Sequence, residues 1–115
     1  MKYSQRDIVL VQFPFTDLSG SKLRPALIVS SKQVNQLNEF ICIQITSRIF
    51  DDGLFYLIED SDVTITLKLK SGIRLHKFFT VNEMLVSKKI AELNFSSFEN
   101  VMKKINDKVL KVESV

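Results

Sequence analysis

Apolar and polar positions alternate along most of this chain with the two-residue period of β-structure, and the period lengthens to that of a helix only towards the C-terminal end. DIVLVQFPF, residues 7–15, is β-branched and almost wholly apolar, which predicts a strand covered on both faces that Pro14 ends or edges. TDLSGSK (16–22) is built from turn-forming residues and predicts an exposed loop. RPALIVSS (24–31) then predicts a second buried strand, with Arg24 and Pro25 at its mouth. After a polar stretch, KQVNQLN (32–38), read as a loop or short helical turn, FICIQITS (40–47) alternates strictly. Ile41, Ile43 and Ile45 share one face, and Cys42, Gln44 and Thr46 share the other.

DDG (51–53) predicts a turn, followed by LFYLI. VTITLKLK (63–70) alternates again and predicts a strand with Val63, Ile65, Leu67 and Leu69 inward and Lys68 and Lys70 in solvent. Past a turn at Ser71 and Gly72, IRLHKFFTV (73–81) predicts a strand that divides Ile73, Leu75 and Lys77 from Arg74, His76 and Phe78. SSFENVMKKINDKVL (96–110) is of another kind: Ser96 and Glu99 have capping-box spacing, and apolar residues fall at 98, 101, 102, 105 and 109. This predicts a mainly β fold with a C-terminal α-helix, a small twisted sheet or partly closed barrel with the helix laid over an open side. No repeat or linker interrupts the pattern, so residues 1–115 are expected to form one domain.

Composition narrows the chemistry. One cysteine, Cys42, excludes an internal disulfide, and one histidine leaves no metal-ligand cluster, so cofactor-free and metal-free chemistry is expected. No apolar run approaches the roughly 18 residues of a membrane span, and the opening MKYSQRDIVL turns charged at Arg6 and Asp7, so a cytoplasmic protein without membrane contact is expected. A net charge of +3 and a pI near 9.1 are compatible with a polyanionic partner without requiring one.

Few polar residues stand where a strand plan does not require them: Arg24, Thr46, Ser47, Arg48, Arg74, His76 and Lys77. Residues i and i+2 on one strand face lie about 6.5 Å apart, enough to straddle a phosphodiester, and Arg74 and His76 meet that condition. Cleaving RNA through its own 2′-hydroxyl needs a base, an acid and cations around the phosphorus. An imidazole can carry the proton, whereas a guanidinium serves better to hold charge. Each residue also has a structural reading: Arg24 and Arg48 as solvated strand and loop ends, Thr46 as a strand former, His76 as a satisfied imidazole, and Lys70 and Lys77 as solubilising edge charges.

Taken in order, DIVLVQFPFTDLSGSKLRPALIVSS, ICIQITSR and IRLHKFFTVNEMLVSKKIAEL resemble the MazF/PemK/Kid family of type II toxin-antitoxin ribonucleases over almost the whole chain. The resemblance implies a Src-homology-3-like barrel and a homodimer. It also implies metal-independent cleavage of single-stranded RNA and neutralisation by a cognate antitoxin protein. It matches Arg24 to the family's arginine before proline, Thr46 and Ser47 to its threonine-serine pair, and Arg74 to an arginine of the later strand. Some members place an aspartate two residues after that arginine, where this chain has His76. The catalytic set so implied is Arg24, Thr46, Arg74 and His76, with Ser47, Arg48, Lys70 and Lys77 as RNA-binding residues. Two alternatives keep the fold and drop the chemistry: a CcdB-like barrel that grips a protein such as gyrase, and an RNA-binding barrel with a stripe of Lys68, Lys70, Arg74 and Lys77.

Overall fold

The computed structural model describes residues 2–14 and 21–114, apart from the side chains of Pro14 and Ser21. Among these residues six strands form one antiparallel sheet: β1 (Asp7–Pro14), β2 (Ser21–Ile28), β3 (Glu39–Thr46), β4 (Phe55–Leu57), β5 (Gly72–Asn82) and β6 (Val86–Glu92). Their spatial order is β4-β5-β3-β2-β1-β6. A single turn of helix, α1 (Lys32–Asn35), joins β2 to β3, and α2 (Phe95–Lys108) follows β6.

Alternation along the central strands divides their apolar residues between two cores. Ile8, Leu27, Ile43 and Ile45 belong to one, which α2 covers with Phe98, Val101 and Ile105. Val9, Val11, Ala26, Ile28 and Cys42 belong to the other, closed by Tyr3, Phe40, Val81 and Val86. The expected two-sided burial of the first strand is therefore observed. Each fully buried aliphatic side chain stabilises by roughly 1.5–3 kcal/mol, against about 1 kcal/mol for a hydrogen bond, so the apolar stripe of α2 holds the helix in place.

Several elements depart from the expected boundaries. Strand β2 starts at Ser21 and stops at Ile28, so Arg24 and Pro25 lie within it rather than at its mouth. Pro25 is tolerated there because it pairs with Leu10 of β1 but lies beyond Ala26, the last β2 residue paired with β3. A strand edge without a partner loses nothing to a missing N–H. The larger correction is 63–70, which is not a strand: Val63 makes one isolated bridge to Leu93, and the segment then leaves the sheet. Leu67 packs against the first core, but Ile65 and Leu69 are 62% and 66% exposed, not inward.

Strand β6, which its lysines conceal in the sequence, pairs with β1 at the edge instead. In β5 the register jumps, Ile73 facing Ile45 and Phe78 facing Ile43, so the strict alternation expected over 73–78 is broken by a bulge at 74–77, and Lys77 is exposed. Helix α2 begins at Phe95, capped by Asn94, whose side chain accepts the Ser97 N–H at 2.9 Å; the expected Ser96–Glu99 box is not the cap. Of the expected loop 16–22, residues 16–20 lie outside the described residues.

Candidate functional site

Strands β2 and β3 pair only through Ala26↔Gln44, Leu27↔Ile43 and Ile28↔Cys42. Continuing that register two residues outward sets Arg24 opposite Thr46, but the ladder has ended there and the strands have parted. Between them opens a cleft of about 480 Å³ that Arg24, Thr46 and Ser47 all line. Lys22 enters from β2, Lys88 from β6, and Lys68 from the strap formed by 64–70. Leu23, Ile65 and Leu69 give the cleft an apolar wall.

Among the described residues the lining carries four cations, Lys22, Arg24, Lys68 and Lys88, and no carboxylate. Such a cleft concentrates positive potential and draws in polyanions. Thr46 contributes a hydroxyl to the same lining. Its Oγ1 accepts the Arg48 N–H at 3.1 Å, which leaves the hydroxyl hydrogen to be donated outward, to an anionic oxygen for example.

The other candidates sit elsewhere. Arg74 is buried on β5 and forks onto Asp52 with bonds of 3.0 and 2.9 Å. Its guanidinium lies 3.8 Å from the centre of the Phe50 ring. The Arg74 hydrogen bond holds the Asp52 carboxyl down at about 2, well below its ordinary 3.8. Arg48 is exposed, with its guanidinium 5.0 Å from the same ring. Half-buried His76 has its Nδ1 enclosed without a hydrogen-bond partner among the described residues. Lys77 is exposed on β5, and Lys70 lines a neighbouring cleft across the strap, together with Glu59 and Asp60. None of Arg48, Lys70, Arg74, His76 and Lys77 lines the cleft of Arg24 and Thr46, so of the two guanidiniums expected at the phosphate, Arg24 and Arg74, the lining holds Arg24.

Lys22 and Lys88 belong to the cleft and were missed in the sequence. Lys22 had a signal, lying two residues before Arg24 on one strand, whereas Lys88 depends on a strand that alternation does not reveal. Cys42 is no nucleophile: burial pushes its thiol up to about 12. Among the described residues no three His, Cys, Asp or Glu side chains gather where they could hold a metal ion.

A mainly β sheet with a C-terminal α-helix is the fold of the small MazF/PemK-like toxins. Residues 4–109 match the family model described as PemK-like, MazF-like toxin of type II toxin-antitoxin system. The chain belongs to that family. Among solved structures it is similar to MazF in a MazE-MazF crystal structure from Deinococcus radiodurans, with a TM-score of 0.78 and 15% identity over 97% of this chain and 100% of that one. It is also similar to a mycobacterial endoribonuclease solved in complex with its cognate antitoxin, with a TM-score of 0.77 and 11% identity over 97% and 99% of the two chains. The Mycobacterium tuberculosis toxin MazF-mt6 gives a TM-score of 0.68 at 20% identity, covering 89% of this chain and 94% of that one. No curated protein matches. Identities this low establish the shared fold alone; the family model establishes the family.

Proposed function

We propose that this chain is the toxin of a type II toxin-antitoxin pair and acts as a metal-independent endoribonuclease on single-stranded RNA. The observation that carries this reading is the cleft beyond the end of the β2–β3 ladder, which Arg24 and Thr46 both line among three lysines with no carboxylate in the described lining. In the proposed reaction the RNA 2′-hydroxyl attacks the adjacent phosphorus and the 5′-oxygen departs, leaving a 2′,3′-cyclic phosphate and a 5′-hydroxyl. Arg24 stabilises the charge that accumulates on the phosphoryl oxygens, and Thr46 donates a hydrogen bond to a non-bridging oxygen. Ser47 and the lysines hold the flanking phosphates.

His76 is the proposed proton carrier, and its position outside this lining makes it the part of the scheme to test separately. The cognate antitoxin and a second copy of the chain are the proposed partners, as in the family. The experiment is incubation of the purified protein with a long RNA in EDTA, followed by mapping of the cut ends. Cleavage is expected, with R24Q and T46V each lowering kcat about 10²–10³-fold, the loss typical of removing one donor to developing charge. RNA left intact across many sequences, or cut equally well by the double variant, overturns the reading. An H76Q variant that keeps both rate and pH profile removes the histidine from the mechanism.

A further inference from the structure

The cleft gathers one of the two arginines expected at the phosphate and leaves the other, Arg74, bound elsewhere. Both amino groups of the Arg74 fork are engaged by Asp52, and the planar guanidinium lies over the ring of Phe50. A fork bound at both tips and covered by a ring has little left with which to meet a second anion. Its partners all lie in one stretch of chain, the turn that runs from the end of β3 to the start of β4.

That turn is tied down at other points as well. The Leu54 N–H donates to Asp52 Oδ1 at 3.0 Å, the Arg48 N–H donates to Thr46 Oγ1, and Lys108 of α2 donates to the Gly53 carbonyl at 3.0 Å. The turn carries Ser47, which lines the cleft, and the exposed Arg48, whose own backbone N–H orients the Thr46 hydroxyl.

Building on the RNA-cleavage reading, we propose that Arg74 is a positioning residue and that Arg48 supplies the second phosphate-contacting guanidinium. Arg74, locked onto Asp52 and Phe50, fixes the turn 47–54, and the turn presents Arg48 to the RNA beside Thr46. The division of labour fits the chemistry of the two sites: both guanidiniums lie near the Phe50 ring, but Arg74 is buried and held bidentately by Asp52, whereas Arg48, next in the chain to Ser47 of the cleft, is exposed and remains available to a phosphate.

The two roles predict opposite results for Asp52→Asn, a change at an exposed residue that contacts no substrate. If Arg74 positions the turn, D52N loosens it and lowers kcat by about 10–100-fold, as misplacement of reacting groups does. R74Q and R74K then lower kcat similarly, and D52N/R74Q is no worse than the poorer single variant. If Arg74 itself meets the phosphate, D52N frees it, and cleavage holds or rises. The salt dependence of binding to a non-cleavable 2′-deoxy substrate reads contacts directly. R48Q is expected to flatten the logarithmic slope by about 0.7, one phosphate contact on a single strand, and R74Q to leave it unchanged.

A flattened slope in R74Q, or undiminished cleavage in D52N, overturns the proposal. Wild-type protein that neither binds nor cuts RNA overturns the RNA reading instead, and with it the role given to Arg48. Amide exchange at Arg48 and Leu54 then decides the clamp alone: faster exchange in D52N supports it, and unchanged exchange overturns it.

Discussion

At the scale of single residues, Gly72 marks where the packing of β4 on β5 depends on the absence of a side chain. A Cβ at this position, opposite Leu57 of β4, would come within 2.1 Å of Phe55 Cζ and within 2.6 Å of both neighbouring ring atoms. Gly72→Ala is therefore expected to push the ring aside and to destabilise by about 1–3 kcal/mol, as overpacking does. F55L in the same chain should recover part of the loss; urea midpoints of the two single variants and the double variant measure it, and simple additivity would show that the ring is not what the new methyl meets. Asp52 gives a second residue-level expectation. Its carboxyl titrates at about 2 in the folded chain against an ordinary 3.8, chiefly because Arg74 hydrogen-bonds the ionised form. A depressed carboxyl stabilises the fold above its ordinary value, and that contribution is lost as the pH falls through the folded-state value. The stability gap between wild type and D52N should accordingly narrow as the pH is lowered from about 5 to 2, and urea titrations at both ends measure it. A gap independent of pH would mean that the pair does not form in solution.

Elements differ in how far the sequence reveals them, and the reason is the range over which each is determined. In β1, β3 and α2 the inside and outside are written locally: Ile43 and Cys42 alternate between two cores, and Phe98, Val101 and Ile105 recur on one helical face. Pairing is not local. VTITLKLK alternates as well as any strand here, yet beyond Thr64, whose N–H donates to the Glu92 carbonyl of β6, no described strand pairs with it, so two of its four apolar residues remain in water at the cleft. Strand β6 is the converse, a real strand with exposed Ser87, Lys88 and Lys89 because it lies at the sheet edge. The site divides in the same way. Arg24 and Thr46 were legible through the family motifs, and their opposition follows from strand register. The Arg74–Asp52 pair spans 22 positions and had no signal in either segment. One expectation belongs to the strap: I65S and L69S should each change stability by no more than about 0.5 kcal/mol, as surface substitutions do, while weakening ligand retention in the cleft. A loss of about 2 kcal/mol or more in urea unfolding would mean that the segment packs as a strand in solution.

At the scale of the whole molecule, the sheet separates two cores that share no side chain but share every central strand. Ile8 and Val9, or Ile43 and Cys42, are neighbours in sequence and lie on opposite sides. Loosening one core must therefore disturb the backbone that bears the other, and the two should open together. Cys42 makes this measurable. It is fully buried in the core that α2 does not touch, and burial raises its thiol to about 12, so an alkylating reagent reacts with it only when that core opens. Ile105 is fully buried in the other core, on α2. Ile105→Ala should cost about 2–5 kcal/mol, and if the molecule opens as one unit the alkylation rate of Cys42 rises with the population of the open state. At 1.4 kcal/mol per factor of ten, the smaller figure already corresponds to about thirtyfold faster labelling. Labelling unchanged by I105A, alongside a lowered urea midpoint followed by circular dichroism, would mean that the helix and its core melt separately. The cleft draws Ile45 and Leu67 from the helix-covered side, so separate melting would also leave its walls dependent on α2 while the Cys42 core stood intact.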